Sequence, residues 1–96
     1  MYAQLFTFTL GPSMLAAAEQ IADKSFPGYK SMKGFKSVIY LGDDGSGEYA
    51  SLSIWESKED LEAAAAILRP KTEEALAGIA KGPPIRKVFE VYEPKT

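Results

Sequence analysis

Two strand-like runs, Phe35 to Leu41 and Glu48 to Trp55, are joined by Gly42-Asp43-Asp44-Gly45-Ser46-Gly47, a hexapeptide of residues that accept turn geometry and positive φ. So short a connection leaves the strands one way to pair: antiparallel, as neighbours in one sheet. The hexapeptide is acidic, but it lacks the D-x-D-x-D-G spacing and distant Glu of a calcium loop, so it reads as a turn. Placing Leu41 opposite Glu48 puts Phe35, Ile39, Leu41, Ala50, Leu52 and Ile54 on one face. The other face then carries Lys36, Val38, Tyr40, Tyr49, Ser51, Ser53 and Trp55. A slip of one residue would scramble this division.

The flanking sequence supplies the other elements. Ala3 to Leu10 alternates as a strand, with Phe6, Phe8 and Leu10 on one side and Leu5, Thr7 and Thr9 on the other. Gly11-Pro12-Ser13 stops it and starts a helix, with Pro12 in the first turn or Ser13 as the cap. That helix is expected from Met14 to about Phe26, with an apolar stripe at Leu15, Ala18, Ala22 and Phe26, and Pro27-Gly28 ends it. Tyr29 to Lys33 then forms a loop leading to Gly34. Ser57 and Asp60 approximate a capping box for a second helix running to about Arg69. Pro70 is expected to break it, leaving a second piece from Lys71 to Ala80. Lys81-Gly82-Pro83-Pro84 is another break, Ile85 to Tyr92 the last strand, and Glu93 to Thr96 a frayed tail. The order βαββα(α)β predicts one α+β domain over residues 1–96: a ferredoxin-like, four-stranded antiparallel sheet with helices on one face.

Composition restricts the chemistry. With neither Cys nor His, the chain has no disulfide, no Cys or His zinc site, no His-ligated haem, no Ser-His-Asp triad and no thiol nucleophile. A formal net charge of −2 argues against a nucleic-acid or anionic-membrane partner. The longest apolar run, Ala63 to Leu68, is too short to span a bilayer, and Met1-Tyr2-Ala3-Gln4 carries no basic leader, so a cytoplasmic location is expected. Helices from one chain can cover only one sheet face. The face with Val38, Tyr40, Tyr49 and Trp55 is expected to be left over and to pair with a second copy, giving a homodimer.

Three pieces then align: Gly34-Phe35-Lys36-Ser37 opening a strand, the Gly-rich hairpin, and Trp55-Glu56-Ser57-Lys58-Glu59-Asp60-Leu61 at a strand-to-helix junction. Together they resemble the antibiotic biosynthesis monooxygenase family of dimeric α+β barrels, in which "GF-x-S" and "W-x-S-x-E-x-L" recur. The motif spans Gly34 to Leu61, and the element order extends the resemblance over nearly the whole chain. The resemblance implies a homodimer with a pocket between sheet and helices in each subunit. In some members that pocket oxidises a phenol or quinol with dioxygen and no cofactor. Similar proteins that degrade haem use an Asn on the first strand and a Trp and His on the second helix. This chain has no Asn or His, and its second helix offers Ala63 to Ala66.

The candidate catalytic residues are Tyr40, Tyr49 and Trp55. The two tyrosines are cross-strand neighbours that serve either as interface aromatics or as phenols that bind or protonate substrate. Trp55 is either a packing anchor at the strand–helix corner or a stacking platform. Ser51 and Ser53 share the Trp55 face and either line a pocket or leave room for partner side chains; Thr7 and Thr9 join them if their face is the same. Arg69 and Arg86 read as solvated charges. No metal or cofactor site is expected, and the partners are a second copy and a small aromatic or apolar molecule. A non-catalytic or isomerase-like binding dimer keeps the pocket and drops the oxygen chemistry. A more distant alternative is an RNA-binding module. Lys33-Gly34-Phe35-Lys36-Ser37-Val38-Ile39-Tyr40 resembles an RNP1 stretch, but Ser37 stands where a stacking aromatic belongs, and the segment falls on the wrong strand.

Overall fold

The computed structural model describes residues 1–95; the end of the expected tail, Thr96, lies outside them. The hairpin joins β2 (Phe35–Asp43) to β3 (Glu48–Trp55), but more tightly than expected. Leu41 faces Ala50 and Asp43 faces Glu48, so the expected Leu41–Glu48 pairing is displaced by two residues. The cause is local. Asp43 Oδ1 accepts the Gly45 N–H at 3.1 Å, the Gly47 N–H donates to the Asp43 carbonyl at 2.8 Å, and Gly47 adopts φ +75°. Asp44 to Gly47 therefore suffice for the reversal, and Gly42 and Asp43 join the strand.

A two-residue displacement preserves side-chain parity, so the division of faces survives. Phe35 changes sides. An irregularity between Phe35 and Ser37 sets Phe35 opposite Trp55, with ring centroids 5.6 Å apart at 75°. The remaining strands are β1 (Tyr2–Thr9) and β4 (Ile85–Glu90), and the helices are α1 (Leu15–Ser31) and α2 (Lys58–Leu76). The antiparallel sheet has the order β2-β3-β1-β4, which completes the ferredoxin-like α+β arrangement.

The helices cover the opposite face from the one expected. Tyr49, Ser51, Ser53 and Trp55 are all buried beneath them, while Ile39 and Leu41 are 55% and 50% exposed. The turn after Trp55 explains this. The chain passes directly into α2, whose Leu61 and Ala64 fold back onto the Trp55 ring. Full burial of Leu61 alone contributes about 2 kcal/mol. A second cluster joins Leu10, Ala18, Tyr49 and Leu76, with Phe6 and Phe8 against it. The uncovered face is apolar, with Ile39, Leu41, Leu52 and Ile54 continued across the sheet by Leu5, Ile85 and Phe89.

Neither proline ends its helix. α1 runs through Pro27 to Ser31, and α2 runs unbroken through Pro70 to Leu76. Each proline frees the carbonyl four residues earlier, and those residues, Asp23 and Ala66, are exposed, so water can satisfy the lost bonds. Packing holds the turns beyond: Tyr29 against Trp55, and Leu76 in the core. The buried stripe of α1 also differs from the expected one. Around the helix, Phe26 sits roughly 80° from Ala18 and Tyr29 only about 20°. Tyr29 therefore packs inward and Phe26 is left 41% exposed.

The helix starts differ too. Ser57 caps α2 as expected, its Oγ accepting the Asp60 N–H at 3.1 Å. Neither Pro12 nor Ser13 caps α1. Its Leu15 N–H donates to Asp44 Oδ1, 3.1 Å away at the tip of the β2–β3 hairpin. Gly34 has φ +82°, and a Cβ there would collide with the Asp60 side chain. Its carbonyl accepts the Glu56 N–H at 2.8 Å. The two halves of the Gly34–Leu61 motif thus meet at one corner, where they fix backbone geometry.

Candidate functional site

Between α1, α2 and the aromatic sheet face lies a cavity of about 230 Å³. Phe6 and Phe8 of β1 form its apolar floor, and Tyr40, Tyr49 and Ser51 line it from β2 and β3. Ser25 and Tyr29 line it from α1 and Thr72 from α2, and exposed Glu19 is its one carboxylate among the described residues. A smaller adjoining cavity of about 40 Å³ is bordered by Trp55, Gln4 and Arg86.

The three phenols are held differently. Tyr49 is 3% exposed and its hydroxyl donates to Asp44 Oδ1 at 3.1 Å, the same oxygen that receives the Leu15 N–H. Burial raises its pKa above the usual phenol value, and the neighbouring Asp44 carboxylate raises it further. The Tyr40 hydroxyl lies 2.8 Å from Ser25 Oγ across the gap between β2 and α1. Burial raises its pKa, and the Ser25 hydrogen bond partly opposes the shift. Tyr29 is raised by burial as well, with Ser51 in partial opposition. All three phenols are therefore protonated near neutral pH, so they are hydrogen-bond donors and not bases.

Of the residues expected at the site, Tyr40, Tyr49 and Ser51 meet in the larger cavity, and Trp55 borders the smaller one. Ser53 is fully buried beneath the site, where its Oγ accepts the Trp55 Nε1–H at 2.9 Å. Thr7 and Thr9 do not join them. Phe6 and Phe8 pair with Ser51 and Tyr49, which puts Thr7 and Thr9 on the opposite, uncovered face. Tyr40 and Tyr49 are not directly opposed either, since Tyr40 faces Ser51 and Tyr49 faces Gly42. Arg86 departs from its expected solvated role. Its Nε donates to Gln4 Oε1 and its Nη2 to Glu62 Oε1 at 2.7 Å, with the side chain 24% exposed.

Several cavity residues escaped the sequence reading: Tyr29, Ser25, Glu19, Thr72 and Gln4. Tyr29 and Ser25 follow the helical period from Ala18, a signal that assigning Pro27 as a stop obscured. No group of His, Cys, Asp or Glu able to hold a metal ion occurs among the described residues. No helix there is long and apolar enough to cross a membrane.

The ferredoxin-like arrangement of sheet and helices is similar in fold to solved proteins named as antibiotic biosynthesis monooxygenases. No family model and no curated protein matches the chain, so the likeness rests on solved structures. A candidate antibiotic biosynthesis monooxygenase from Deinococcus radiodurans superposes with a TM-score of 0.82 at 13% identity, covering 100% of this chain and 97% of that one. SnoaB, a cofactor-independent oxygenase from Streptomyces nogalater, gives 0.77 at 18% identity, covering 97% of this chain and 94% of its own. The monooxygenase ActVA-Orf6 from Streptomyces coelicolor, solved with nanaomycin D, gives 0.74 at 19% identity, covering 99% and 90%. At these identities the likeness establishes the fold alone.

Proposed function

We propose that this protein is a homodimeric, cofactor-independent monooxygenase acting on a small phenolic or quinol-type substrate. The observation that carries the reading is the larger cavity: apolar walls of Phe6 and Phe8, with protonated phenols converging on it. The fold shared with SnoaB, itself a cofactor-independent oxygenase, supports the same reading. The chemistry asks little of the protein. A phenolic substrate whose keto tautomer carries a ring CH₂ loses a proton from that carbon and becomes electron-rich enough to reduce dioxygen directly. Transfer of one electron and recombination form a carbon–oxygen bond and a hydroperoxide. Loss of water from that hydroperoxide leaves the new carbonyl, so one CH₂ and one O₂ become one C=O and one H₂O. In this reading Tyr29 and Tyr40 donate hydrogen bonds to the developing oxyanion, Tyr40 exchanging Ser25 for the substrate, and Glu19 at the rim is the candidate base. Tyr49, committed to Asp44, shapes the wall.

In this reading the dimer is formed by the uncovered apolar face, with Ile39, Leu41, Ile85 and Phe89 meeting the same face of a second copy. That face also counts against RNA binding. Its central strands present Leu5, Thr7, Leu52 and Ile54, with no aromatic ring for base stacking.

The test is oxygen consumption by the metal-stripped protein with a panel of hydroquinones, naphthols and naphthalenediols. The expected result is uptake stoichiometric with quinone formation for at least one of them. Binding of these compounds without any uptake would favour the rival reading, a non-catalytic ligand-binding dimer of the same fold.

A further inference from the structure

The space under the helices is partitioned. The cavity of about 230 Å³ by Tyr49, the one of about 40 Å³ by Trp55 and a wider opening of about 480 Å³ between α1 and α2 all share two lining residues, Tyr29 and Thr72. They stand on different helices: Tyr29 in the last turns of α1, Thr72 just beyond Pro70 in α2. Tyr29 is held by two aromatic neighbours. Its ring centroid lies 6.1 Å from Trp55 and 6.2 Å from Phe35. The Thr72 hydroxyl is turned back onto its own helix, donating to the Leu68 carbonyl at 3.1 Å. A ring restrained in this way works as a wall and not as a mobile side chain.

We infer that Tyr29, backed by Thr72, is the size-determining residue of the site and restricts it to ligands of one or two fused aromatic rings. The inference rests on the proposed reading of the cavity as an aromatic-substrate site, and it adds the substrate class. At interior packing density, a cavity of about 230 Å³ holds roughly 170 Å³ of ligand. That accommodates a naphthol-sized molecule and is tight for a third fused ring. The additional ring would have to occupy the Trp55 chamber or the opening between α1 and α2, and Tyr29 borders both. On the other side the Tyr40–Ser25 hydrogen bond closes the gap between β2 and α1.

The experiment compares 1-naphthol and 9-phenanthrol by equilibrium dialysis against the wild-type protein and the variants Tyr29→Ala, Tyr29→Leu and Tyr29→Phe. Trp55, the only tryptophan, reports by its fluorescence whether the bound probe reaches the inner chamber. The wild type should bind 1-naphthol at least about tenfold more tightly than 9-phenanthrol, as expected for overpacking by one ring. Tyr29→Ala should remove most of that preference and bring 9-phenanthrol close enough to alter Trp55 emission. Tyr29→Phe should retain the preference, because it keeps the ring and loses only the hydroxyl. Tyr29→Leu preserves apolar packing against Trp55, so it should fold even if the alanine variant does not, and it should relax the preference in the same direction. Equal binding of the two probes by the wild type, or an unchanged preference in Tyr29→Leu, would overturn the inference while leaving the aromatic-ligand reading intact. Failure of every variant to bind either probe would overturn both.

Discussion

Gly42 faces Tyr49 across the hairpin, and a Cβ at Gly42 would lie 2.7 Å from Tyr49 Cδ1 and 3.0 Å from Cε1. The ring has little freedom to yield. It is 3% exposed, and its hydroxyl is tethered to Asp44, which also receives the first N–H of α1. Gly42→Ala must therefore overpack the core, at about 1–3 kcal/mol, or break the Tyr49–Asp44 bond, at about 1 kcal/mol. Offsetting this, Ala is better than Gly in a strand by roughly 0.5 kcal/mol. The expected net loss is about 0.5–2.5 kcal/mol. In urea denaturation, at a slope near 2 kcal/mol/M, that is a midpoint decrease of about 0.3–1.3 M. Wild type and variant must be compared at equal protein concentration, because dimerisation would contribute to the midpoint. The decisive control repeats the substitution in a Tyr49→Leu background. There the clash is relieved, and Gly42→Ala should become neutral or slightly stabilising. A wild-type-background loss below about 0.5 kcal/mol, or an equal loss in both backgrounds, would refute the reasoning.

Other expectations follow from the same geometry. Ser53→Ala leaves the buried Trp55 indole N–H without its acceptor and should cost about 1–3 kcal/mol in the same denaturation assay. Glu19→Gln should lower oxygen-consumption turnover by roughly a hundredfold with 1-naphthol binding unchanged, and equal turnover would remove Glu19 from the mechanism. Ile39→Asp on the uncovered face should yield monomers in sedimentation velocity at micromolar concentration, whereas a persisting dimer would place the interface elsewhere. The raised phenols give stability a direction with pH. Folded Tyr29, Tyr40 and Tyr49 keep protons that the unfolded chain releases near pH 10, so their contribution is intact below about pH 10 and is lost as pH climbs toward the folded values. Chemical denaturation from pH 8 to 11 should show this decline, and Tyr29→Phe should flatten part of it.

The corner from Gly34 to Leu61 was legible because each of its residues answers a local need. Gly34 takes a left-handed φ beside Asp60, Ser57 caps a helix, and Leu61 seals Trp55. Those needs are backbone and packing needs, which is why the motif identifies an architecture and is silent about activity. The choice of covered face was not legible. Both faces of the β2–β3 pair carry large apolar groups, and alternation reports two faces without saying which meets a helix. The large rings went under the helices, where the turn after Trp55 carries α2 back over them. Tyr29 was hidden by a rule that holds on average: Pro27 stops a helix only if the freed carbonyl has no other partner, and here it faces solvent. Asp44 was beyond any local reading, since it caps a helix 29 residues away in sequence.

That last carboxylate makes an outlying bend into part of the site's framework. One oxygen of Asp44 orders the entry to α1 and fixes the angle of a tyrosine in the wall, so lengthening the bend by one residue would disturb a helix start and a chamber together. Reversals at a protein's edge usually absorb insertions freely; in this fold such changes should reach the interior and register as altered ligand preference before they register as lost folding.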